Sequence, residues 1–306
     1  MPLNHVDFME IFIAILTYFA YIFIVVAYTV KIVKYLKLPI HLRWELYPVI
    51  HEDAYHYGGS CFENTNWWEK PRKIRNIKGF LWLLKDYFTL HDYLKQNLFY
   101  WLGLYPWHIG FIFIITFHIL CFFGALFMVS GISISHNSQD ILGIIIYYAI
   151  LFTGVLSFIS GAIGSIIILI NRVIDKNLKT YASPLQFLTY IFTLIVFLSG
   201  LYSWYYVDPK LEEYREFWVG LLTFNFIGVE TATMVHIILF DLFLIYLPFT
   251  RSLHYITRFF AFFLIRWDDK PNIRGGDMEK RIEGQFENRI NWSGPHIITG
   301  KSWREQ

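Results

Sequence analysis

The second long apolar stretch of the chain reads WHIGFIFIITFHILCFFGALFM, from Trp107 to Met128, and it carries no Asp, Glu, Lys or Arg. About 20 apolar residues at a rise of about 1.5 Å each span the hydrocarbon core of a bilayer. Four further stretches qualify: Phe8–Tyr28, Ile141–Ile170, Leu185–Tyr205 and Val229–Leu253, the last with an apolar continuation to Ile265. The sequence therefore predicts an all-α integral membrane protein with five transmembrane helices.

The composition also indicates that lipid is part of the solvent. Hydrophobic residues make up 56% of the 306 residues and charged residues 16%, whereas soluble proteins carry roughly 25% charged residues. The net charge of +2 predicts no nucleic-acid partner. The two cysteines, Cys61 and Cys121, are too few for a disulfide framework, a cysteine-ligated zinc site or a cysteine-held iron–sulfur cluster. Any redox metal is therefore expected to have other ligands.

The distribution of basic residues between the loops predicts the orientation. The segment from Lys31 to Lys95 holds 11, the loop after the third span holds 3 and the chain from Arg251 onward holds 10. The N-terminus and the two loops on the opposite side hold only 2, Lys210 and Arg215. Because cytoplasmic loops carry the excess of Lys and Arg, we expect the N-terminus outside and the C-terminus in the cytoplasm. The first span lacks the basic start of a signal peptide, so we expect it to remain in the mature protein.

The expected domain organisation is a five-span membrane domain over residues 1–265 and a cytoplasmic tail over residues 266–306. A cytoplasmic segment, residues 34–105, separates the first two spans, and its part from Gly79 to Tyr105 suits an amphipathic helix at the inner interface or on a partner subunit. The tail is polar, which is typical of a solvated, partly disordered segment. It nevertheless contains aromatic and aliphatic residues that favour docking on a cytoplasmic partner: Phe286, Ile290, Trp292, Ile297, Ile298 and Trp303.

Four of the 11 histidines lie within predicted spans, His108 and His118 in the second and His236 and His254 in the fifth. One histidine in a membrane helix is most often a packing residue, but ionisable groups at membrane depth are costly and usually functional. Two on each of two helices are hard to explain by packing. Haem iron takes two axial ligands and neutral imidazole is a common one. The pattern predicts two bis-histidine b-type haems.

The order of the spans predicts how these ligands pair. The second and fifth spans run antiparallel, so the first histidine of one faces the last of the other. This predicts His108 with His254 for an inner haem and His118 with His236 for an outer haem. The spacings differ, because ten residues rise about 15 Å and eighteen about 27 Å. Pro248 supplies a distortion just before His254, since proline removes a backbone hydrogen bond.

Several other polar residues are candidates for supporting roles. Arg172, Arg251 and Arg258 lie on the predicted cytoplasmic side and could pair with haem propionates, although the positive-inside bias explains each equally well. Asp241 lies between the two fifth-span histidines. We expect it to make a polar contact between helices rather than to handle protons.

The paired spacings His108-x9-His118 and His236-x17-His254, with PFTRSLH from Pro248 to His254, resemble the gamma subunit of respiratory nitrate reductase and its relatives. The resemblance covers roughly residues 105–260. That family is a five-span di-haem cytochrome b with its N-terminus outside, which passes electrons between the quinone pool and a cytoplasmic iron–sulfur subunit. It implies two haem b groups, with the four histidines as axial ligands.

Other stretches look like a second branch of this family: PIHLRWELYP from Pro39 to Pro48, GKSW from Gly300 to Trp303, and Glu230-Thr231. That branch is the membrane cytochrome b subunit of the sulfite-reduction-associated (Dsr) and heterodisulfide-reductase-like complexes of sulfate reducers. The chain departs from the nitrate reductase subunit itself in its longer first cytoplasmic segment and its tail. The resemblance implies sulfate respiration, a cytoplasmic heterodisulfide-reductase-like iron–sulfur partner and the cytoplasmic membrane of a prokaryote.

The expected activity is therefore electron transfer from menaquinol, on the outer side, to that partner, with terminal catalysis in partner subunits. Candidate quinol-site residues are Glu230, Asp140, Thr233 and Tyr147, each of which could equally be an interfacial polar residue. One alternative keeps the haems but takes electrons from an outer multihaem cytochrome c, with other membrane subunits as partners. A second is a haem-free proton or solute transporter, and a third is a structural membrane anchor.

Overall fold

The computed structural model describes residues 8–37, 76–250, 254 and 274–306. Within these residues the chain forms helices and no strand, with two isolated antiparallel bridges, Arg289–Ser302 and Gly294–Ile297. The α-helices are α1 Phe8–Leu36, α2 Asn76–Thr89, α3 His91–Gln96, α4 Leu98–Val129, α5 Ile141–Ile174, α6 Lys176–Thr180, α7 Pro184–Tyr206, α8 Glu212–Thr223, α9 Thr231–Tyr246 and α10 Asp277–Phe286. Short 3₁₀ turns cover Leu247–Phe249 and Trp303–Glu305.

Five of these helices are long and apolar enough to cross a membrane: α1, α4, α5, α7, and α9 with its following turn to Phe249. The five predicted apolar helices are thus confirmed among the described residues, and they suggest a multi-pass membrane protein in contact with lipid. Large apolar side chains remain exposed along these helices, as expected for lipid-facing surfaces. The orientation of the termini stays a prediction.

The chain divides into two compact units. The first consists of Met1–Ile24 and Leu81–Leu247, and the second of Val25–Phe80 and Pro248–Gln306. These units are defined by contacts within the chain. The predicted boundary after residue 265 instead separates a lipid-embedded part from a water-exposed part, and it stays a prediction. His118 and His236 both belong to the first unit.

The first unit is built by neighbouring helices packing in series. α4 packs along α5, α5 along α7 and α7 along α9, while the short α8 packs on α4. α4 and α5 approach closely at Gly110 of α4, where an added Cβ would lie 2.6 Å from the Cα of Gly161 on α5. α1 joins this unit through Thr17, whose hydroxyl donates to the Oδ2 of buried Asp241 at 2.7 Å. The polar contact between helices expected for Asp241 is therefore present.

The region from Gly79 to Tyr105, predicted as one amphipathic helix, is divided into α2, α3 and the first turns of α4. Leu90, between α2 and α3, has a left-handed backbone with φ 46°, which a leucine adopts only at a cost. Asn97 then begins α4, since its side chain accepts a hydrogen bond from the Tyr100 amide at 2.9 Å. The second span consequently begins at Leu98 rather than at Trp107.

The fifth span is broken after Tyr246, where α9 ends and Pro248 lies in a 3₁₀ turn. Proline has no N–H to donate to the carbonyl one turn earlier, and its ring clashes with that turn. The distortion predicted at Pro248 is present. Of residues 251–273, His254 alone is described.

The described tail of the second unit is folded rather than extended. Ile290 is buried beneath turns that bring its amide to the Lys301 carbonyl at 2.9 Å. Glu305 accepts hydrogen bonds from the amide and hydroxyl of Ser302, and these bonds lower the pKa of its carboxyl group. The predicted docking of the tail on a cytoplasmic partner stays a prediction.

Candidate functional site

His118 lies at the centre of the first unit, on the face of α4 that points into the bundle. Only 5% of its surface is exposed. Its Nδ1 is 2.7 Å from the Ile114 carbonyl oxygen, which can only accept, so Nδ1 carries the proton. Its Nε2 therefore accepts from the Tyr214 hydroxyl at 2.8 Å. The helix itself thus fixes the tautomer that leaves Nε2 available to a partner.

His236 on α9 is held in a comparable way, with 3% of its surface exposed. Its Nδ1 lies 3.0 Å from the Ser199 hydroxyl, which itself donates to the Val196 carbonyl at 2.8 Å. Ser199 therefore accepts the Nδ1 proton, and Nε2 is again the unprotonated nitrogen. Within the described part of the chain, this buried Nε2 has no hydrogen-bond partner. A buried nitrogen without a partner is costly unless some other group binds it.

The two imidazoles share aromatic neighbours. Phe240 stacks on His118 with ring centroids 3.9 Å apart and planes at 7°, and its centroid is 6.3 Å from that of His236. Tyr214 lies 5.8 Å from His118 and 6.4 Å from His236 by the same measure. Gly200 makes room, because a Cβ there would lie 2.8 Å from the Cε1 of His236. The structure therefore brings His118 and His236 against the same two rings.

His118 and His236 are the residues that could together hold a haem iron. Each imidazole has Nδ1 anchored and Nε2 unprotonated, which is how metal-bound histidines are normally oriented. Nε2 of His236 has no hydrogen-bond partner among the described residues, whereas Nε2 of His118 accepts from the Tyr214 hydroxyl and would have to lose that bond to hold a haem iron. The described residues include no group of three or more His, Cys, Asp or Glu that could hold a bare metal ion, but haem iron needs only two protein ligands.

The predicted inner pair, His108 and His254, is divided between the two units. His108 is buried on α4, and its Nε2 donates to the Tyr87 carbonyl of α2 at 2.9 Å. His254 is exposed in the second unit. Their pairing stays a prediction.

The four predicted quinol-site residues fall in different surroundings. Thr233 is buried and donates to the Glu213 carboxylate at 2.5 Å, and the amide of exposed Glu230 donates to the same carboxylate. Tyr147 is buried beneath the guanidinium of Arg215, which lies 5.2 Å from its ring centroid. Asp140 is exposed at the start of α5. No contact in the described ranges joins all four.

The residues that sequence reasoning missed come from α8, in the loop between the fourth and fifth spans. α8 places Tyr214 on His118, Glu213 on Thr233 and Arg215 on Tyr147. Its buried apolar face repeats at helical spacing, with Tyr214, Phe217, Trp218 and Leu221. That i, i+3, i+4, i+7 pattern is the signal that could have predicted the helix.

Burial shifts the ionisation of the groups around α8. It raises the pKa of the Asp208 carboxyl, an effect opposed by hydrogen bonds from the Tyr214 and Glu212 amides at 3.1 and 2.7 Å. It also lowers the pKa of the Arg215 guanidinium and raises that of the Tyr214 hydroxyl well above its ordinary value. Tyr214 is therefore a neutral hydroxyl donor at physiological pH.

Among the predicted propionate partners, Arg172 is buried and already bound by side chains. It donates to the Gln186 amide oxygen at 3.2 Å and to the Tyr190 hydroxyl at 3.3 Å, and it lies 5.2 Å from the Tyr190 ring centroid. Arg251 and Arg258 lie outside the described residues.

No family model, curated protein or solved structure matches this chain.

Proposed function

We propose that this protein is the membrane cytochrome b subunit of a respiratory complex. The observation that supports the proposal is the buried pair His118 and His236. Each has its Nδ1 anchored by an oxygen acceptor, and the Nε2 of His236 lacks a partner in the described structure. Two buried imidazoles presented in this way on two membrane helices suit axial ligation better than packing.

When bound, two b haems would supply one-electron transfer across the bilayer, between menaquinol near the outer border and a cytoplasmic heterodisulfide-reductase-like iron–sulfur subunit. His118 and His236 hold the outer haem in this proposal, and His108 and His254 hold the inner one. The resemblance of the paired histidine spacings and of the PFTRSLH stretch supports the second pair. The complex would lie in the cytoplasmic membrane of a prokaryote, with the C-terminus inside.

The surrounding side chains orient the ligands and exclude water. Ser199 and the Ile114 carbonyl fix both Nδ1 protons, so that neither imidazole can rotate without losing a hydrogen bond. Phe240 and Phe158 enclose the two rings with apolar surface. Such surroundings favour neutral imidazole, the form that binds iron.

On the outer side, the proposed quinol-site residues are Glu230, Asp140, Thr233 and Tyr147, to which the structure adds Glu213. The half-buried carboxylate of Glu213 accepts from Thr233 and from the Glu230 amide. In this proposal Glu213 receives a proton released from quinol and passes it to the outer surface.

The deciding experiment measures haem in the purified full-length protein. We expect a bis-histidine b-type absorption spectrum and two haems per chain by pyridine extraction. His118→Ala should remove one of the two haems, whereas the matched control His136→Ala, an exposed histidine of the Gly131–Asp140 loop, should retain both. A protein without haem, or a His118→Ala variant that keeps both, would contradict the proposal.

A haem-free proton or solute transporter is the second candidate. It is favoured by the Tyr214 hydroxyl on Nε2 of His118 and by buried Asp241, which together place ionisable groups deep in the first unit. The same haem measurement separates the two functions. A haem protein that accepts electrons from an outer multihaem cytochrome c would be recognised because that cytochrome, in its reduced form, would reduce its haems without added quinol.

A further inference from the structure

Arg215 is a buried cation with few partners. Only 3% of its surface is exposed. In the described chain it makes one hydrogen bond, from Nη1 to the Lys210 carbonyl at 2.8 Å, and its Nε has no partner. Its guanidinium also lies 5.2 Å from the ring centroid of Tyr147. A buried guanidinium ordinarily binds a carboxylate or phosphate through its fork of donors.

No carboxylate of the described chain forms an ion pair with Arg215. Asp208 and Glu212 interact with it electrostatically, but neither accepts a hydrogen bond from it in the described chain, and the Asp208 oxygens accept from the amides of Glu212 and Tyr214. Glu213, its neighbour in sequence, binds Thr233. Because burying a charge without an anion is costly, the free donors of Arg215 indicate a missing anionic ligand.

The position of Arg215 indicates which ligand that is. It follows Tyr214, whose hydroxyl lies on His118, and its guanidinium lies over the ring of Tyr147 on α5. Ile146, the neighbour of Tyr147, faces Gly124 of α4, where an added Cβ would lie 3.6 Å from its Cγ2. Gly124 is six residues beyond His118, which is about 9 Å further along α4. Arg215 is therefore displaced from His118 towards the predicted outer border, next to the predicted site of the outer haem.

The basic residues available on that side are few. Lys210 and Arg215 are the only two that the sequence predicts to lie outside, and Lys210 is exposed. The three arginines proposed from sequence as propionate partners, Arg172, Arg251 and Arg258, all belong to the predicted cytoplasmic side. An outer haem would have Arg215 as its buried cation.

We infer that Arg215 binds a propionate carboxylate of the haem held by His118 and His236. This inference rests on the proposed function. The guanidinium offers Nε and a terminal nitrogen side by side, which matches the two oxygens of a carboxylate. Tyr147 supports the guanidinium from one face, and the Lys210 carbonyl fixes its orientation.

Lys210 provides the control. It is the other basic residue of the predicted outer side, and its side chain is exposed. Its backbone carbonyl, which a substitution keeps, is the group that accepts from Arg215. Lys210→Gln therefore removes a positive charge from the same side without removing the proposed propionate partner of the outer haem.

The test compares the affinity of haem-depleted full-length protein, in detergent, for protohaem and for protohaem dimethyl ester, which lacks the propionate charges. The outer-site binding phase is identified by its loss in His118→Ala. In that phase we expect the unmodified protein to prefer protohaem by about tenfold, the size expected of one charge-assisted hydrogen-bonded pair. Arg215→Gln should abolish the preference, and Lys210→Gln should retain it.

The possible results distinguish a failure of this inference from a failure of the proposed function. If the unmodified protein binds no haem, the proposed function is wrong. If it binds both haem forms equally at the outer site, or if Arg215→Gln retains the preference, Arg215 is not the propionate partner although the haem assignment stands. Should Arg215→Gln fail to accumulate, Arg215→Lys keeps the charge without the fork and should retain part of the preference. If Arg215→Lys bound protohaem and its dimethyl ester with equal affinity, or if it preferred protohaem as strongly as the unmodified protein does, the inference would be contradicted.

Discussion

At the scale of single residues, the hydrogen bond between Tyr214 and His118 matters most for the proposed function. Nε2 of His118 is the nitrogen that would bind iron, and the Tyr214 hydroxyl donates to it at 2.8 Å. The two roles exclude each other, because one lone pair serves both. In the proposed function, Tyr214 would therefore compete with haem, and it would provide the partner of this buried nitrogen when no haem is bound.

Tyr214→Phe tests this competition. Without the hydroxyl, haem no longer has to displace a hydrogen bond of about 0.5–1.5 kcal/mol, so its affinity at the outer site should rise about two- to tenfold. The measurement is a haem titration of haem-depleted protein. Tyr202→Phe, at an exposed tyrosine of α7, is the control and should leave the affinity unchanged. A decrease in affinity would show that Tyr214 assists haem binding instead of opposing it.

At the scale of helices, the close contact between α4 and α5 positions His118. An added Cβ at Gly110 would lie 2.6 Å from the Cα of Gly161, a backbone atom that cannot move aside without shifting the helix. At Gly124, on the same helix, a Cβ would meet the Cδ1 of Ile150 at 3.2 Å, which is the flexible end of a side chain. The two glycines therefore differ in what they permit.

Gly110→Ala should consequently destabilise the protein by about 1–3 kcal/mol, the usual cost of overpacking. Gly124→Ala should cost much less, because Ile150 can change rotamer and alanine is the better helix former. Thermal unfolding in detergent compares the two variants with the unmodified protein. Equal stability of both variants would mean that α4 and α5 are not held at the distance described.

The helix α8 shows why a helix outside the apolar spans was overlooked. Its sequence EEYREFWVGLLT carries acidic residues in the first turn and a buried face at helical spacing. Both ends lie at residues with left-handed backbone, Leu211 with φ 52° and Phe224 with φ 55°. Neither is the glycine or asparagine that usually marks such positions, so the local sequence does not indicate where α8 begins and ends.

At the scale of the whole molecule, the orientation in the membrane depends on charge rather than on packing. The predicted outer side carries 2 of the 26 basic residues. Alkaline phosphatase fused after Asn137 should therefore be active, and the same enzyme fused after Lys179 should be inactive, because it folds only outside the cytoplasm. The reverse pattern would contradict the predicted orientation, and the proposed outer haem would then lie on the cytoplasmic side.

The five apolar helices were predictable because span length follows from bilayer thickness and from local composition alone. Trp107–Met128 and Ile141–Ile170, for example, lie within α4 and α5. The start of α4 was not predictable to the same accuracy, because the cap at Asn97 begins the helix several residues before the apolar stretch at Trp107. The break at Pro248 was predictable, since it follows from the chemistry of one residue.

The histidines could be selected from sequence, because ionisable groups are costly at membrane depth wherever they occur. Their surroundings required the tertiary structure. Only packing brings Tyr214 of α8 to His118 of α4 and leaves Nε2 of His236 without a partner among the described residues. Likewise, the sequence placed Arg215 in an outer loop, whereas its burial against Tyr147 depends on how α8 folds back onto the bundle. Periodicity describes one helix at a time, and contacts between helices depend on shape and register that no single segment contains.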